Sequence, residues 1–316
     1  MRGLGMTEAA HVPVMLRPVL DGLRIKSDGC YVDATFGRGG HSGAILNALG
    51  PEGRLIAIDR DPDAISAAPE ALRSDERFEL VKGEYAGLGD IVRIRGLEGR
   101  VDGILLDIGV SSPQLDDGSR GFSFMRDGPL DMRMDPEHGV SAADWLADVD
   151  EQDLRRILKT LGEERHAARI ARAIVAARRT APIARTLELA DLVAAAVPQR
   201  GPSRRHPATQ TFQAIRIFLN DELGQLERGL DAAVSALAAG GRLCVITFHS
   251  LEDRIVKRFM RDQSREPEQY RGMPTIPADY RPKLALVGKA ISASEAEIEA
   301  NRRARSARLR IAERAA

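Results

Sequence analysis

The 316-residue sequence predicts an α/β fold: a mostly parallel, seven-stranded sheet of Rossmann-like type that carries an inserted helical domain. Three observations point there. Short apolar segments alternate with helical ones over residues 30–108, which is the pattern of βαβ units. A glycine-dense turn follows the first of these segments, and Asp33, Asp59 and Asp107 stand at or near segment ends. Finally, 133 residues separate Asp107 from the next strong strand signal at Gly241, whereas a crossover needs only about a dozen.

Residues 30–34 read as the first strand and residues 35–43 (TFGRGGHSG) as a turn. A helix follows through Ala44, Ile45 and Leu49, closed by Gly50-Pro51. The second strand is 54–58, a helix with Pro62 in its first turn spans 61–72, and the third and fourth strands are 77–81 and 101–108. Phe212, Ile215, Leu219, Leu223, Leu226, Leu230, Val234 and Leu237 recur at spacings of three and four, predicting one long crossover helix that ends at Gly240-Gly241. That leaves residues 115–206 as the insertion. Ser141 with Asp144 resembles a capping box; Leu154, Ile157, Leu158 and Leu161 form an apolar face stopped by Gly162; Thr186 is placed to cap a helix reaching Pro198; and residues 201–203 (GPS) return the chain. The remaining strands are 241–248, 284–287 and 307–311, the last alternating Leu309 and Ile311 with Arg308 and Arg310. The expected domains are therefore 1–114 with 207–316, and 115–206.

Composition narrows the function classes. With 43% apolar and 29% charged residues the chain is ordinary globular material, and its apolar runs are too short to span a bilayer, so no membrane partner is expected. The first ten residues lack the apolar core of a secretory signal, and two cysteines, Cys30 and Cys244, make no disulfide framework; both features suit a reducing cytoplasm. No paired CxxC spacing exists, so no metal is expected. The net charge is zero, with 46 basic and 46 acidic residues, but the charges are segregated. Residues 101–153 carry 13 acids and three bases, residues 155–185 carry nine bases and two acids, and six arginines crowd 302–314. The basic stretches are either phosphate contacts or solvated helix faces. The acidic stretch either faces a cation or packs against the basic one. Only 4% of residues are aromatic, too few for an extended base-stacking platform.

Gly37, Gly39, Gly40 and His41 lie in a turn between strand and helix, where backbone approaches a ligand at a helix N-terminus. Asp59, 22 residues after Gly37 and closing the next strand, is placed to accept from a ribose diol. The spacing is G-x-G-G-x-x-G and not the dinucleotide pattern G-x-G-x-x-G, which favours an adenosine cofactor without a pyrophosphate, such as S-adenosylmethionine, over NAD. Asp107 and the turn Ser111-Ser112-Pro113 follow the fourth strand. An exocyclic amino group is a poor nucleophile because its lone pair is delocalised into the ring. Acceptors must hold its hydrogens and aim that lone pair, and Asp107 with this turn supplies them; Ser-Ser-Pro also reads as a plain turn. His249 follows the fifth strand as a base contact or as part of a helix start in which Ser250 caps. No nucleophile elbow or triad spacing supports hydrolysis.

Six segments carry a family resemblance: 11–16 (HVPVML), 33–41 (DATFGRGGH), 107–115 (DIGVSSPQL), 129–135 (PLDMRMD), 211–217 (TFQAIRI) and 247–254 (TFHSLEDR). On these the chain resembles the ribosomal RNA small-subunit methyltransferase H family over nearly its whole length. The resemblance implies a class I methyltransferase fold with a helical insertion for substrate recognition. It implies S-adenosylmethionine as methyl donor, and N4 of a cytidine in the decoding region of 16S ribosomal RNA, within the small subunit, as acceptor. It implies cofactor contacts at Gly39, Gly40, His41, Asp59, Tyr85, Asp107 and Gln114. Three positions depart from the family pattern: Tyr85 for Phe, Gln210 for Arg, and Arg302-Arg303 for Pro-Arg. A methyltransferase acting on DNA or protein shares the fold, and a ribosome-assembly factor without turnover is the reading from a different class. Asp107→Ala separates the last, since only an enzyme loses methylation while keeping RNA.

Overall fold

Each predicted strand pairs with a neighbour, and the central ones, those that begin at Cys30, Arg54, Val101 and Leu237, are largely buried. The computed structural model describes residues 13–198 and 206–316, apart from 267, 271, 272, 274, 275, 278 and 279. The strands are β1 (Cys30–Asp33), β2 (Arg54–Asp59), β3 (Phe78–Lys82), β4 (Val101–Asp107), β5 (Leu237–Thr247), β6 (Leu284–Leu286), β7 (Ile291–Ser292) and β8 (Arg308–Arg314). They form one sheet in the order β3-β2-β1-β4-β5-β8-β6, with β7 also paired to β8. The five strands from β3 to β5 run parallel, and β8 and β6 are antiparallel. Seven strands lie on this path, as expected; the eighth, β7, is two residues long and carries no period that a sequence could display.

The parallel strands are near-continuous apolar runs because helices cover both faces. Val32, Ile56, Ile104, Leu106 and Val245 pack on one side with Leu226, Leu230 and Val234, while Leu55, Leu105, Cys244 and Ile246 pack on the other with Val19, Leu23 and Ile45. Strand order reverses between β1 and β4, the point at which open α/β sheets bind ligands beyond their carboxyl ends.

The chain divides into two compact units, one running to Gly109 and resuming at Gln225, the other Val110–Gly224. The sequence set these borders at 114/115 and 206/207. The late border has a clear cause: the expected single crossover helix is two helices, Thr209–Leu219 and Glu222–Ala236. Asp221 between them takes a left-handed φ of 46°, and Asn220 turns its side-chain amide to Met132 O and Arg216 O at 2.8 Å each. The first helix then packs on Glu151–Leu161 within the helical unit through Phe212 and Ile215. The crossover helix also stops sooner, at Ala236, and β5 begins at Leu237 with a bulge against β4 that Gly240 (φ 77°) allows.

The expected helix 61–72 is likewise two short ones, Pro62–Ser66 and Glu70–Arg73, because Pro69 bars helical geometry before it. Ser141 caps its helix by accepting from Asp144 N–H at 3.1 Å, as expected. Thr186 does not cap. It is the first helical residue, and its hydroxyl accepts from Gly128 N–H at 3.1 Å. Residues 201–203, the arginines at 200, 204 and 205, and the first two residues of the 11–16 segment lie outside the described residues.

Candidate functional site

Three carboxylates end β1, β2 and β4, and among the described residues no lysine or arginine pairs with any of them. Asp33 is fully buried; it accepts from Ser42 Oγ at 2.7 Å and from Thr35 N–H at 3.2 Å. Thr35 in turn ties the glycine turn to β4, its hydroxyl accepting from Asp107 N–H at 2.7 Å. Asp59 accepts from Gly37 N–H at 2.7 Å and from Asp61 N–H at 2.9 Å, so this acid shapes the turn while keeping further acceptor lone pairs. Burial raises the pKa of both Asp33 and Asp59.

The turn needs its glycines for two different reasons. Gly37 and Gly39 have φ of 56° and 76°. A Cβ on Gly39 would also come 2.8 Å from the Phe36 ring and Leu72 Cδ1, and one on Gly40 would come 2.5 Å from Pro13 Cγ. The helix that follows, Gly40–Ala48, has no side-chain cap. Its second residue, His41, is buried, with Nε2 3.0 Å from Val14 O. Burial pulls His41 down to about 4, so the ring is neutral near pH 7. A neutral ring that donates from Nε2 to Val14 O carries its lone pair on Nδ1, 3.7 Å from Asp107 Oδ2.

Asp107, at the end of β4, is strongly perturbed. Its Oδ1 is shut off from solvent and has no hydrogen-bond partner among the described residues, although 24% of the side chain is exposed. Burial, reinforced by the nearby charges of Asp33 and Glu252, pushes it up to about 8. A buried carboxyl with an orphaned oxygen and no cation is costly unless a ligand completes it.

Two expected residues have other occupations. His249 is the N-cap of the helix Ser250–Gln263, displacing the expected cap Ser250 by one residue. Its Nδ1 accepts from Glu252 N–H at 3.4 Å, while its buried Nε2, 3.0 Å from Glu252 Oε1, makes no hydrogen bond among the described residues. Glu252, fully buried, accepts from Phe248 N–H at 2.8 Å and His249 N–H at 3.2 Å. Tyr85, half-buried in a short 3-10 turn, rests its ring against the helix Glu222–Ala236, where a Cβ on Gly229 would meet Tyr85 Cδ2 at 2.7 Å.

Ser111, Ser112, Pro113 and Gln114 belong to the second unit. Ser111 caps the helix Ser112–Asp116, and Gln114 Oε1 returns to accept from Ser111 N–H at 2.9 Å, a complete capping box with Pro113 in the first turn. Gln114 is buried in this arrangement. Gln210 spends its amide on Glu163 O at 3.4 Å. Among the described residues of this unit, Asp135, Glu137 and His138 stand close enough to share a cation, but His138 Nδ1 already lies 2.9 Å from Asp135 Oδ2.

Sequence reasoning missed Thr35, Glu252 and the backbone of Val14 as parts of the site. Thr35 and Glu252 sit inside the motifs quoted above. Val14 lies in the 11–16 segment, whose place over the glycine turn no local pattern reveals.

Among the described residues no helix is long and apolar enough to cross a membrane. The chain is similar to the ribosomal RNA small subunit methyltransferase H of Coxiella burnetii strains Dugway 5J108-111 and RSA 331, at 56% identity over 305 residues, covering 96% of this chain and 99% of each relative. Among solved structures it is similar to a putative rRNA methylase from Clostridium thermocellum, with 11% identity, a TM-score of 0.44, and coverage of 97% of this chain and 98% of that one. The family model of the MraW methylases matches residues 8–315, and with glycine turn, strand-end acids and sheet order in place the chain belongs to the MraW methylase family.

Proposed function

We propose that this chain transfers a methyl group from S-adenosylmethionine to the exocyclic N4 of a specific cytidine in the decoding region of 16S ribosomal RNA, acting on the small ribosomal subunit in the cytoplasm. The observation that carries the proposal is Asp107, a buried carboxyl with an unpartnered oxygen at the end of β4, tied through Thr35 to the glycine turn. The Coxiella burnetii relatives, named as methyltransferases of small-subunit ribosomal RNA, supply the substrate class.

The residues fit such a cofactor. Asp33, Asp59 and Asp107 form an acidic edge without a cation, which suits a positively charged ligand. The uncapped helix after Gly39 suits a carboxylate. S-adenosylmethionine carries both groups, and a ribose diol for Asp59. When bound, it supplies an electrophilic methyl on a sulfonium centre.

The protein's part is positioning and proton handling. Asp107, when ionised, accepts a hydrogen bond from the N4 amino group and turns its lone pair out of conjugation. The same carboxylate then takes the proton that the methylated nitrogen sheds, a task for which an acid held at about 8 is a better acceptor than an ordinary carboxylate. His41, neutral at this pH with its Nδ1 lone pair 3.7 Å from Asp107, adds no cation beside that carboxylate. Most of the acceleration comes from orientation and exclusion of water.

Nucleoside mass spectrometry tests this. Purified protein with S-adenosylmethionine is incubated with unmodified small subunits, naked 16S RNA and duplex DNA. N4-methylcytidine on a ribosomal substrate is the expected result. Methyl on another atom or polymer overturns the assigned specificity, and no transfer anywhere with the cofactor bound favours an assembly factor.

A further inference from the structure

The basic stretch at 155–185 is not one surface. Of its nine cations, Arg156 pairs with Asp153 at 2.8 Å, Arg185 pairs with Asp127 at 2.6 Å, and Arg178 donates to Leu146 O and Val149 O at 2.7 Å each. Those three hold the fold. The remaining six, Arg155, Lys159, Arg165, Arg169, Arg172 and Arg179, are exposed and have no hydrogen-bond or ion-pair partner among the described residues.

Three of the six are ordered by a single helix. Ala167–Arg178 buries Ile170, Ala171, Ile174 and Val175 against the helical core. Arg169 and Arg172 stand on the opposite face, three residues apart, and Arg179 continues the helix in helical geometry, while Arg165 lies in the turn before it. Spacings of three and seven keep Arg169, Arg172 and Arg179 on one stripe, which runs about 15 Å from Arg169 to Arg179 at 1.5 Å per residue. Arg155 and Lys159 repeat the pattern at i, i+4 on the neighbouring helix Glu151–Leu161.

The acids that the sequence sets beside this stretch do not neutralise it. Asp150 caps the helix Glu151–Leu161, Asp117 accepts from Ser119, Asp144 is held by Ser141, and Asp131 pairs with Arg133 at 2.6 Å. They are used locally, as caps and short-range partners. An exposed row of arginines left without carboxylates is stable in water, but its chemistry is that of a polyphosphate contact, since each guanidinium presents a fork of donors to phosphate oxygens.

We infer that the stripe Arg169, Arg172 and Arg179 is a phosphate-backbone docking surface for RNA. It rests on the proposed function in taking RNA as the partner, and adds where on the chain the RNA is held. Contacts to phosphate oxygens position RNA and carry no sequence information directly. Binding through the stripe is electrostatic and falls steeply with salt.

The test uses the full chain and two probes: small ribosomal subunits, and a fluorescein-labelled RNA hairpin of unrelated sequence. The variants are Arg169→Gln/Arg172→Gln, the charge-keeping Arg169→Lys/Arg172→Lys, and Arg156→Gln as a control for an arginine engaged with its own helix. Circular dichroism and calorimetric titration with S-adenosylmethionine check that each variant folds and keeps its cofactor site. The glutamine pair is expected to weaken both probes by tenfold or more at fixed salt and to lower the slope of log affinity against log salt by about 1.4 to 1.8, the loss of two phosphate contacts. The lysine pair keeps most of the slope, and Arg156→Gln keeps all of it. Unchanged affinity and slope in the glutamine pair overturn the inference, as does a wild-type chain that binds neither probe, or a stripe whose loss alters only binding to phosphatidylglycerol vesicles. The two proposals fail separately. RNA binding that depends on the stripe without methyl transfer removes the enzymatic reading alone, whereas normal methylation by a variant with unchanged RNA affinity removes the stripe alone.

Discussion

Raising the pH from 6 to 8 should tighten the binding of S-adenosylmethionine by up to about fiftyfold, and Asp107→Asn should abolish that gain. Asp107 is held at about 8, first by burial and then by Asp33 and Glu252. A carboxyl with that pKa is about 1% ionised at pH 6, about a tenth ionised at pH 7 and half ionised at pH 8. A sulfonium cation binds the ionised form. Below pH 8 the binding free energy therefore includes the work of deprotonation, about 2.7 kcal/mol at pH 6 at 1.36 kcal/mol per unit. Binding should release close to one proton per ligand at pH 6 to 7, read as a dependence of the calorimetric enthalpy on buffer ionisation. His41, already neutral with its pKa near 4, contributes nothing over this range. S-adenosylhomocysteine, with a neutral sulfur, should show a shallower profile. The ligand's own ammonium also titrates, but equally against both proteins, so the difference between wild type and Asp107→Asn isolates the carboxyl. A profile equally steep in the two refutes the reasoning, and so does a wild type with no proton release.

Other perturbations follow from the same geometry. Without ligand, Asp107→Asn should raise the melting temperature by several degrees at pH 8 and by little at pH 4: an acid whose folded pKa is raised loses its contribution to stability as pH climbs from its ordinary value toward about 8, and the amide does not titrate. Glu252→Gln should move the pH midpoint of cofactor binding downward, because one charge that raises Asp107 is gone; it should also cost about 1–3 kcal/mol in denaturant titrations by disturbing the bonds to Phe248 and His249 N–H. Gly39→Ala should lose cofactor affinity by tenfold or more, read by calorimetry, since its φ of 76° and the 2.8 Å approach to Phe36 force the turn to shift. Gly229→Ala should lower stability by about 1–3 kcal/mol through its clash with the Tyr85 ring, measured as a shift of the urea midpoint at constant slope.

What the sequence displayed and what it hid divide along one physical line. Features set by the chain's own periodicity were legible: β1, β2 and β4 with acids at their ends, the apolar face of Glu151–Leu161, and the Ser141 cap all depend on spacings of two, three or four. The breaks that periodicity missed are single residues acting against a continuing pattern. The apolar stripe from Phe212 to Leu237 runs unbroken through Asp221, yet Asn220 finds Met132 O across 88 positions and ends the helix there. No local window contains that partner.

The same limit governs the site. Asp59 and Gly37 were read as parts of one ligand site because strand, turn and strand bring them to the same sheet edge, and the 2.7 Å bond between them, which the sequence reading did not foresee, joins them there. His249 carried two readings, base contact or helix start, and Gln114 was expected only as a cofactor contact; what decides is the nearest acceptor or donor rather than the residue's type. His249 meets Glu252 three residues on, and Gln114 meets Ser111 three residues back; both are capping geometries, and both leave the side chain half or fully withdrawn from solvent. For Asp107 no such local partner is present among the described residues. Its N–H is satisfied by Thr35, while its carboxyl has an oxygen with nothing to bind among the described residues. Where neighbouring residues answer every polar atom, a motif is explained by folding. Where they leave one buried and unanswered, folding stability has been given up for something outside the chain, and on that ground Asp107 stands apart from Asp33 and Asp59, the other two strand-end acids, as the residue on which the proposed chemistry rests.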